Sequence, residues 1–475
     1  MWKSHRGAPF KNQAAAIALA MIVVGATSAR ADGIFPLGET TPIPRLSDEP
    51  APYLSVGDIP ARPSLLLELG PPFLDTGQLG EGFELPTGAV WQPRLWVFAT
   101  YRTALQTFDN GVIPDRISEW VHRLNAFANL QLTGTEKILL QIRPLDKNRF
   151  GQFTRYVFEP DGLDGFNSEF NPNIRTLFFE GDLGSMFPDL DPEGQTLLDF
   201  GFSVGRQPLI FQEGILINDT VDAVGLVRNN VRLPGVSNLR ITGVWGWDSL
   251  DRVDDRDGSD PYMFGLFNSA DLPTSTVSLD MIYVEDDESN GDAFYIGGST
   301  TQRMGLFNTT FRVNTSIAED ADTPQVADGA LLSAEVSWTV ESSDDIVYVN
   351  PFLAIDRFTQ AGREPVVGGA LAALGILFAS PSLGNYLSEL SSFPNDIVGI
   401  ATGYQAFWDN HRRNLVLELA AHKDTGDQGF DAVAIGFQLQ QALGRRVQLQ
   451  FEGFVSFQED RDMGSGGRTE FLIQF

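Results

Sequence analysis

The stretch RVQLQFEGFVSF, residues Arg446–Phe457, alternates apolar and polar side chains along almost its whole length. Successive side chains of an extended strand point to opposite faces, so this stretch has one apolar and one polar face. The apolar face carries Val447, Leu449, Phe451, Val455 and Phe457. The polar face carries Gln448, Gln450, Glu452 and Ser456, with Phe454 as an exception. The alternation predicts a β-strand whose two faces meet different surroundings.

The same alternation recurs from residue 93 to the end of the chain, for example in residues 430–441, 331–340 and 238–247. We predict strands over residues 94–107, 118–131, 136–145, 173–181, 196–206, 220–229, 237–248, 260–269, 273–285, 292–299, 303–314, 328–340, 345–356, 396–408, 411–422, 430–442, 445–457 and 468–475. No repeat at propeller spacing accompanies them. The chain is therefore predicted to be all-β, with about eighteen strands.

Two architectures use strands of this kind. A soluble sandwich turns its apolar faces inward, whereas a transmembrane barrel turns them outward to lipid and keeps a polar lumen. The predicted strands are close to the roughly 9 to 11 residues that cross a bilayer. Large charged groups occupy polar faces, among them Arg143, Glu335, Glu418 and Glu452. These features favour a transmembrane antiparallel β-barrel of about 18 strands.

The predicted connections alternate between short and long, as in outer-membrane barrels with short periplasmic turns and long external loops. Short turns are predicted at 132–135, 270–272, 300–302, 341–344, 409–410 and 443–444, and long loops at 146–172, 207–219, 315–327 and 357–395. Connections 182–195 and 230–236 are long for the turn end. Loop 357–395 is the longest and is the candidate for a constriction or lid. Its apolar part, 366–380, predicts a hydrophobic loop or a short buried helix.

The first 92 residues differ in composition from the rest. Basic residues, a short apolar run at 14–26 and the small-residue pattern at 29–31 predict a secretory signal peptide over residues 1–31. Residues 32–92 contain ten prolines, which interrupt regular strands. They predict an irregular Pro-rich segment, whether disordered, periplasmic or folded into the pore as a plug. The barrel is expected over residues 93–475.

The charge and cysteine content exclude several classes of function. Without the predicted signal peptide the chain has 29 basic and 62 acidic residues, a net charge of −33. Such a chain lacks the basic footprint of a nucleic-acid-binding protein. It has no cysteine, so it forms no disulfide and no thiolate metal site. Its four histidines show no metal-ligand spacing, and we expect neither a metal nor another cofactor.

The chain ends on Phe475, with Phe471 and Ile473 on the same face of the last predicted strand. No backbone group can stay unpaired in hydrocarbon, so this strand is expected to close the barrel against the first. A terminal Phe after alternating apolar residues resembles the C-terminal signal of bacterial outer-membrane proteins, which implies recognition by the barrel assembly machinery. We expect the outer membrane of a diderm bacterium as the location, with its lipid and lipopolysaccharide as partners.

Residues 199–230, DFGFSVGRQPLIFQEGILINDTVDAVGLVRNN, resemble the bacterial alginate-export family of outer-membrane porins. In that family a strand ending in Gly-Arg-Gln runs into an inserted loop, and the next strand begins after an Asp-containing turn. Here the matching residues are Gly205, Arg206, Gln207, Asp219 and Asp222. Residues 171–184 resemble the strand that enters this hairpin. The resemblance implies an eighteen-stranded passive pore lined by arginines, which passes an acidic polysaccharide.

Strand parity predicts which charged side chains line the lumen. The pore-lining candidates are Arg102, Arg123, Arg143, Arg240, Arg312, Asp280, Glu335, Glu418 and Glu452, and Glu470 shares their parity. Rings of fixed charge select solutes by their sign, although paired charges can also be purely structural. Parity places Arg206 on the outer face, unless a bulge at Gly205 turns it inward or it lies beyond the membrane edge.

The function we predict is an outer-membrane channel for hydrophilic solutes, with anionic saccharides among the candidates, and not an enzyme. A structural or adhesive barrel is the main alternative, and its lumen would be filled by paired side chains. An outer-membrane lipid hydrolase is a second alternative, since His122 has outward parity, but the sequence shows no serine beside it. The acidic stretch 251–260 has carboxylates near a glycine, as calcium loops have, but lacks their terminal Glu.

Overall fold

The computed structural model describes residues 64–73, 82–111, 116–190, 198–252, 260–287, 290–319, 322–426, 429–459 and 461–475. The predicted signal peptide, part of the Pro-rich segment and most of the acidic stretch 251–260 lie outside these residues. The principal strands are β1 (Arg94–Asp109), β2 (Ile117–Gln131), β3 (Lys137–Ile142), β4 (Ile174–Asp182), β5 (Gly201–Phe211), β6 (Ile217–Leu233), β7 (Val236–Asp248), β8 (Tyr262–Asp271), β9 (Ser275–Glu285), β10 (Ala293–Met304), β11 (Phe307–Ala318), β12 (Gly329–Thr339), β13 (Ile346–Asp356), β14 (Ile397–Trp408), β15 (Arg413–Asp424), β16 (Ala432–Ala442), β17 (Val447–Gln458) and β18 (Gly464–Gln474).

These eighteen strands form one closed barrel. Each strand pairs antiparallel with the next along the chain, and β18 pairs antiparallel with β1 from Ser465↔Asp109 to Gln474↔Thr100. The ring of main-chain pairs is thus continuous, which is what a membrane barrel requires. The predicted fold class and the number of strands are confirmed.

The two faces of β17 show how the barrel is oriented. Phe451 and Phe457 are 38% and 55% exposed on the outside, whereas Phe454 and Ser456 are buried on the inside. The same arrangement holds for β16, where Val433, Ile435 and Phe437 are exposed. A water-soluble protein would bury such residues, so the apolar belt faces outward as in a membrane barrel.

Two predicted connections are wrong in position. Residues 300–302 were predicted as a turn but lie inside β10, and the turn lies at 305–306, where Gly305 has φ +63°. The alternation of apolar and polar residues does not show that the strand continues, because residues 300–302 are polar on both faces. Connection 230–236 contracts to the two-residue turn at 234–235, with Gly235 at φ +82°. Connection 182–195 contains a short helix, α1 (Leu183–Met186).

The described part of the Pro-rich segment contacts the turn end of the barrel. Leu67–Leu69 pairs with Val97–Leu95 of β1, just beyond the point where the backbones of Phe475 and Ala99 exchange hydrogen bonds. Leu67–Leu69 therefore pairs with the same edge of β1 as β18 does, beyond the point where β18 ends. Phe83–Glu84 and Val90–Trp91 form a separate small hairpin.

No helix in the described residues is long and apolar enough to cross a membrane.

Candidate functional site

The hairpin β5–β6 extends beyond its neighbours and enters the lumen. Strand β5 pairs with β6 as far as Phe211↔Ile217, but its pairing with β4 stops at Arg206. The predicted loop 207–219 is therefore wrong as an external loop, because both strands continue through most of it. The strand prediction ended too early because β5 leaves the wall at this point.

Gly205 lies where β5 leaves the barrel wall. Its φ is +120°, and a Cβ on it would lie 2.3 Å from the carbonyl oxygen of Leu177. Only glycine fits both the conformation and the space. The motif Gly-Arg-Gln thus lies inside β5 rather than at its end, and its glycine allows the close approach of β4.

The tip of the inserted hairpin contacts the wall three to five strands beyond β6. The side-chain amide of Gln212 donates to Asp280 on β9 at 2.7 Å, and Glu213 pairs with Arg312 on β11. Ile215 and Leu216 are fully buried next to the tip. Leu216 belongs to an apolar cluster with inward-facing residues of β6 to β10, so the hairpin packs against the inner side of the adjacent wall.

Loop 357–395 fills much of the remaining interior. It contains the short 3₁₀-helix Ala370–Ala373, and its residues Leu374, Phe378 and Tyr386 are buried in a second apolar cluster. That cluster also contains inward-facing residues of β13 to β17. The predicted short buried helix is present, and the loop folds into the barrel rather than over it.

A buried carboxylate fixes this loop to the wall. Glu418 on β15 accepts hydrogen bonds from the backbone amides of Ile376 and Leu377, at 3.0 and 2.9 Å, and from the hydroxyl of Tyr348. Gly375 leaves no room for a side chain, since its Cβ would lie 2.7 Å from a Glu418 oxygen. The carboxyl oxygens of Glu418 therefore hold the loop in place.

Glu364 joins three elements of the interior. It pairs with Arg175 of β4, lies 3.9 Å from Arg143, and accepts a hydrogen bond of 3.0 Å from Thr220 of the inserted hairpin. Burial alone would raise the pKa of Glu364, but the guanidinium groups of Arg175 and Arg143 outweigh it and hold that pKa below its usual value. The ionised form is thus the one that stabilises this junction.

Arginines concentrate on the wall formed by β18 and β1 to β4. Arg102 and Arg123 are direct cross-strand neighbours. Their carboxylate partners are Glu470, 2.5 Å from Arg102, and Asp146, 3.1 Å from Arg123. Asp146 also accepts from Arg143 at 2.8 Å. Arginine side chains therefore line this wall, but paired carboxylates neutralise most of their positive charge.

Two cavities adjoin along this wall. The outer one, of about 640 Å³, is near the loop end and is lined by Arg149, Arg363 and Arg461. The inner one, of about 150 Å³, is lined by Arg102, Arg468 and Glu452. We call them the outer and inner chambers. Ser380 and Glu389 line both chambers, so the two chambers are direct neighbours.

Glu389 lies between the two chambers. It is buried, and burial raises its pKa well above the usual range of a glutamate, with the nearby carboxylates Glu452 and Glu418 adding to the effect. The raised pKa favours the neutral acid over a fixed negative charge between the two chambers.

A third cavity, of about 340 Å³, lies beneath the inserted hairpin and is lined by Arg240, Asp280 and Arg312. It brings three of the predicted pore-lining residues together. Arg240 is exposed to it, whereas Asp280 and Arg312 hold the hairpin tip.

The predicted pore-lining residues all lie on the interior side, but most are paired. The charged pairs are Arg102 with Glu470, Arg123 and Arg143 with Asp146, Arg312 with Glu335, and Arg468 with Glu452. Sequence analysis did not name Arg468, although this residue begins the predicted strand 468–475 and shares the parity of Glu470. It also missed Glu364 and Glu389, which lie in a loop where strand parity gives no signal.

The remaining motif residues take structural positions. Arg206 pairs with Asp222 at 2.6 Å and donates to Ser249 at 2.6 Å, on the face that also carries the exposed Val204. Gln207 donates to the carbonyl of Ala223 at 3.1 Å. Asp219 is buried and accepts from the backbone amides of Thr220 and Asp251. These contacts brace the hairpin.

Solved structures share this architecture. OccK2 (OpdF) of Pseudomonas aeruginosa aligns with a TM-score of 0.53 at 11% identity, over 80% of this chain and 97% of its own. The fold is that of an outer-membrane porin. OccAB3 of Acinetobacter baumannii aligns with a TM-score of 0.52 at 12% identity, over 80% of this chain and 99% of its own.

A structure of OccK2 (OpdF) in complex with glucuronate aligns with a TM-score of 0.51 at 12% identity, over 80% of this chain and 98% of its own. No protein-family model matches this chain, and no curated protein sequence matches it significantly. The resemblance of residues 199–230 to the alginate-export family therefore has no support from a family model.

Proposed function

We propose that this chain is a porin that passes small anionic solutes, of about the size of a single sugar acid, along its arginine-bearing wall. The observation that carries the proposal is the adjoining pair of chambers, which share Ser380 and Glu389 and together present Arg363, Arg461 and Arg102. Fixed positive charge in a narrow lumen favours anions. The glucuronate bound to OccK2 is a solute of this class.

The filled interior favours small solutes over a polymer. The inserted hairpin and loop 357–395 pack into two apolar clusters that occupy much of the lumen. A polysaccharide chain such as alginate needs a continuous wide path, whereas the inner chamber has a volume of about 150 Å³. The resemblance of residues 199–230 implies export of alginate, and this geometry does not favour that function.

Ion-permeability measurements in planar bilayers test the proposal. Arg102→Gln should lower the ratio of anion to cation permeability by roughly three- to tenfold, since one charge at about 4 Å is worth about 1 kcal/mol even in water. Arg240→Gln is the matched control, because it removes the same charge from the cavity beneath the hairpin. Swelling of liposomes in glucuronate, compared with its neutral methyl ester, tests the solute class.

One observation favours a second candidate function, a structural or adhesive barrel. Four of the five arginines named as pore-lining are in ion pairs, and these pairs fill the lumen instead of facing open solvent. A folded, membrane-inserted barrel that carries no ion current would support this second function and overturn the porin.

A further inference from the structure

The seam between the first and last strands is not closed by these two strands alone. Strand β18 pairs with β1 only as far as the backbone hydrogen bonds between Phe475 and Ala99. Residues 94–98 of β1 continue beyond this point toward the turn end, and their other edge pairs with β2 as far as Arg94↔Gln131. Without a further partner, one edge of β1 would be bare there, and an unpaired backbone edge is costly in a membrane.

Residues 64–73, which we call the seam segment, cover this edge. Leu67–Leu69 pairs antiparallel with residues 95–97 of β1. Leu67 and Leu69 are exposed on the outer face of the wall, and Glu68 between them has the opposite parity. This is the alternation that the barrel strands follow. The seam segment therefore adds a short partial strand to the wall of the barrel.

Contacts on both sides of the paired leucines hold the seam segment in place. On one side, the guanidinium group of Arg446, in the turn between β16 and β17, donates to the carbonyl and the hydroxyl of Ser64 at 2.7 and 2.6 Å. On the other side, the indole of Trp96 donates to the carbonyl of Pro71 at 3.3 Å, and Phe73 packs edge-on against this indole. Strands β17 and β1 are the two neighbours of β18, so the seam segment bridges them across the end of β18.

The last strand gains a stop from this arrangement. Residues 464–467 of β18 are Gly, Ser, Gly and Gly, and Gly-rich strands specify their register weakly. Leu67 pairs with Val97, two residues beyond Ala99, where the pairing of Phe475 ends. A slip of β18 toward the turn end would therefore drive Phe475 into the place that Leu67 occupies.

We propose that the seam segment is a clamp that holds the barrel closed between β18 and β1, and that it is not a plug of the pore. It completes the backbone pairing of β1, bridges the two neighbours of β18 and blocks one direction of slip. No described residue of the segment lines the outer chamber, the inner chamber or the cavity beneath the hairpin. The proposal rests on the closed membrane barrel and not on conduction.

A disulfide across the seam tests the proposal, because the chain has no cysteine of its own. Leu67→Cys/Val97→Cys joins direct cross-strand partners. The oxidised full chain should unfold in sodium dodecyl sulfate at least about tenfold more slowly than the reduced one, and a tenfold change corresponds to about 1.4 kcal/mol. Leu419→Cys/Ile435→Cys is the matched control. It joins exposed partners of β15 and β16, far from the seam, and should slow unfolding much less.

A second variant weakens the clamp without a cross-link. Arg446→Ala removes both hydrogen bonds to Ser64 and should speed unfolding about fivefold, as expected for the loss of one or two hydrogen bonds. Arg412→Ala removes an exposed arginine from the turn between β14 and β15, at the same end of the barrel, and should leave the rate unchanged.

Three results would overturn the clamp. They are equal slowing of unfolding by the two disulfides, no disulfide in Leu67→Cys/Val97→Cys where the control pair oxidises, and a rise in single-channel conductance when the seam disulfide is reduced. The last result would identify a plug, whereas equal conductance before and after reduction supports the clamp. A barrel without current in either state would count against the porin, and the unfolding rates would still decide whether the clamp exists.

Discussion

The side-chain amide of Gln212 donates to the carboxylate of Asp280 inside the lumen at 2.7 Å. Gln212 belongs to the connection of β5 and β6, and Asp280 belongs to β9, four strands further around the wall. Gln212 and Glu213 both have left-handed backbone conformations, with φ of 51° and 57°. Their side-chain contacts offset this conformational cost, so the tip has a defined position inside the barrel.

Asp280→Ala should release the tip of the inserted hairpin. It leaves the Gln212 amide unsatisfied in a buried position, which costs about 1 to 3 kcal/mol locally. Hydrogen exchange of the backbone amides of residues 212–217 should therefore speed up. Asp280→Asn keeps an acceptor oxygen and serves as the control. Unchanged exchange in Asp280→Ala would show that Gln212 does not hold the tip.

Glu418→Ala should loosen loop 357–395. It removes the acceptor for the backbone amides of Ile376 and Leu377, and a buried donor left without a partner costs about 1 to 3 kcal/mol. We expect the free energy of unfolding to fall by about 3 kcal/mol and single-channel conductance to rise. Urea unfolding and bilayer recordings measure the two effects, with Glu418→Gln as the milder variant. A stable protein with unaltered current would contradict this role.

Glu364 should make stability depend on acid pH. Its pKa is lowered in the folded protein below the ordinary value of 4.5, so its ionised form stabilises the fold above that pH. The contribution is lost as pH falls through the lowered pKa. Thermal unfolding between pH 7 and pH 3 should show a fall below pH 4.5 that Glu364→Gln reduces. The exposed Glu341→Gln is the control, and an identical pH profile for both variants would refute the prediction.

Glu389 should make ion selectivity depend on pH above the ordinary titration range of a glutamate. Burial raises its pKa well above the usual range, so it is neutral at low pH and acquires a negative charge as pH rises through that pKa. The charge would appear between the two chambers and repel anions. Reversal potentials should therefore show weaker anion preference at high pH, and Glu389→Gln should keep the preference. Loss of anion preference at high pH in both proteins would exclude Glu389 as its source.

Gly205→Ala should destabilise the inserted hairpin. A Cβ would lie 2.3 Å from the carbonyl oxygen of Leu177, and φ of +120° is a strained conformation for alanine. We expect a loss of about 1 to 3 kcal/mol, read from the midpoint of urea unfolding. Gly243→Ala is the matched control, because its Cβ meets open space. Equal midpoints for the two variants would show that β4 can move away.

Much of the barrel could be predicted because the membrane imposes a local rule. Alternation over Arg446–Phe457 predicted both the strand and its orientation, and Phe451 and Phe457 face outward as expected. The rule failed where the residues did not differ between faces, as in residues 300–302. It also failed where β5 leaves the wall, because strand parity there no longer separates lipid-facing from lumen-facing side chains.

The sequence by itself determined an eighteen-stranded closed barrel with an apolar outside. The backbone of each strand must form hydrogen bonds with neighbouring strands, and its outward side chains must be apolar to contact lipid. Only the tertiary structure decided what fills the lumen. Gln212 meets Asp280, Glu418 meets Leu377, and Glu364 meets Arg175 from positions far apart in the chain. Such contacts have no period in the sequence, because they depend on how a hairpin and a loop fold into a space that the wall encloses.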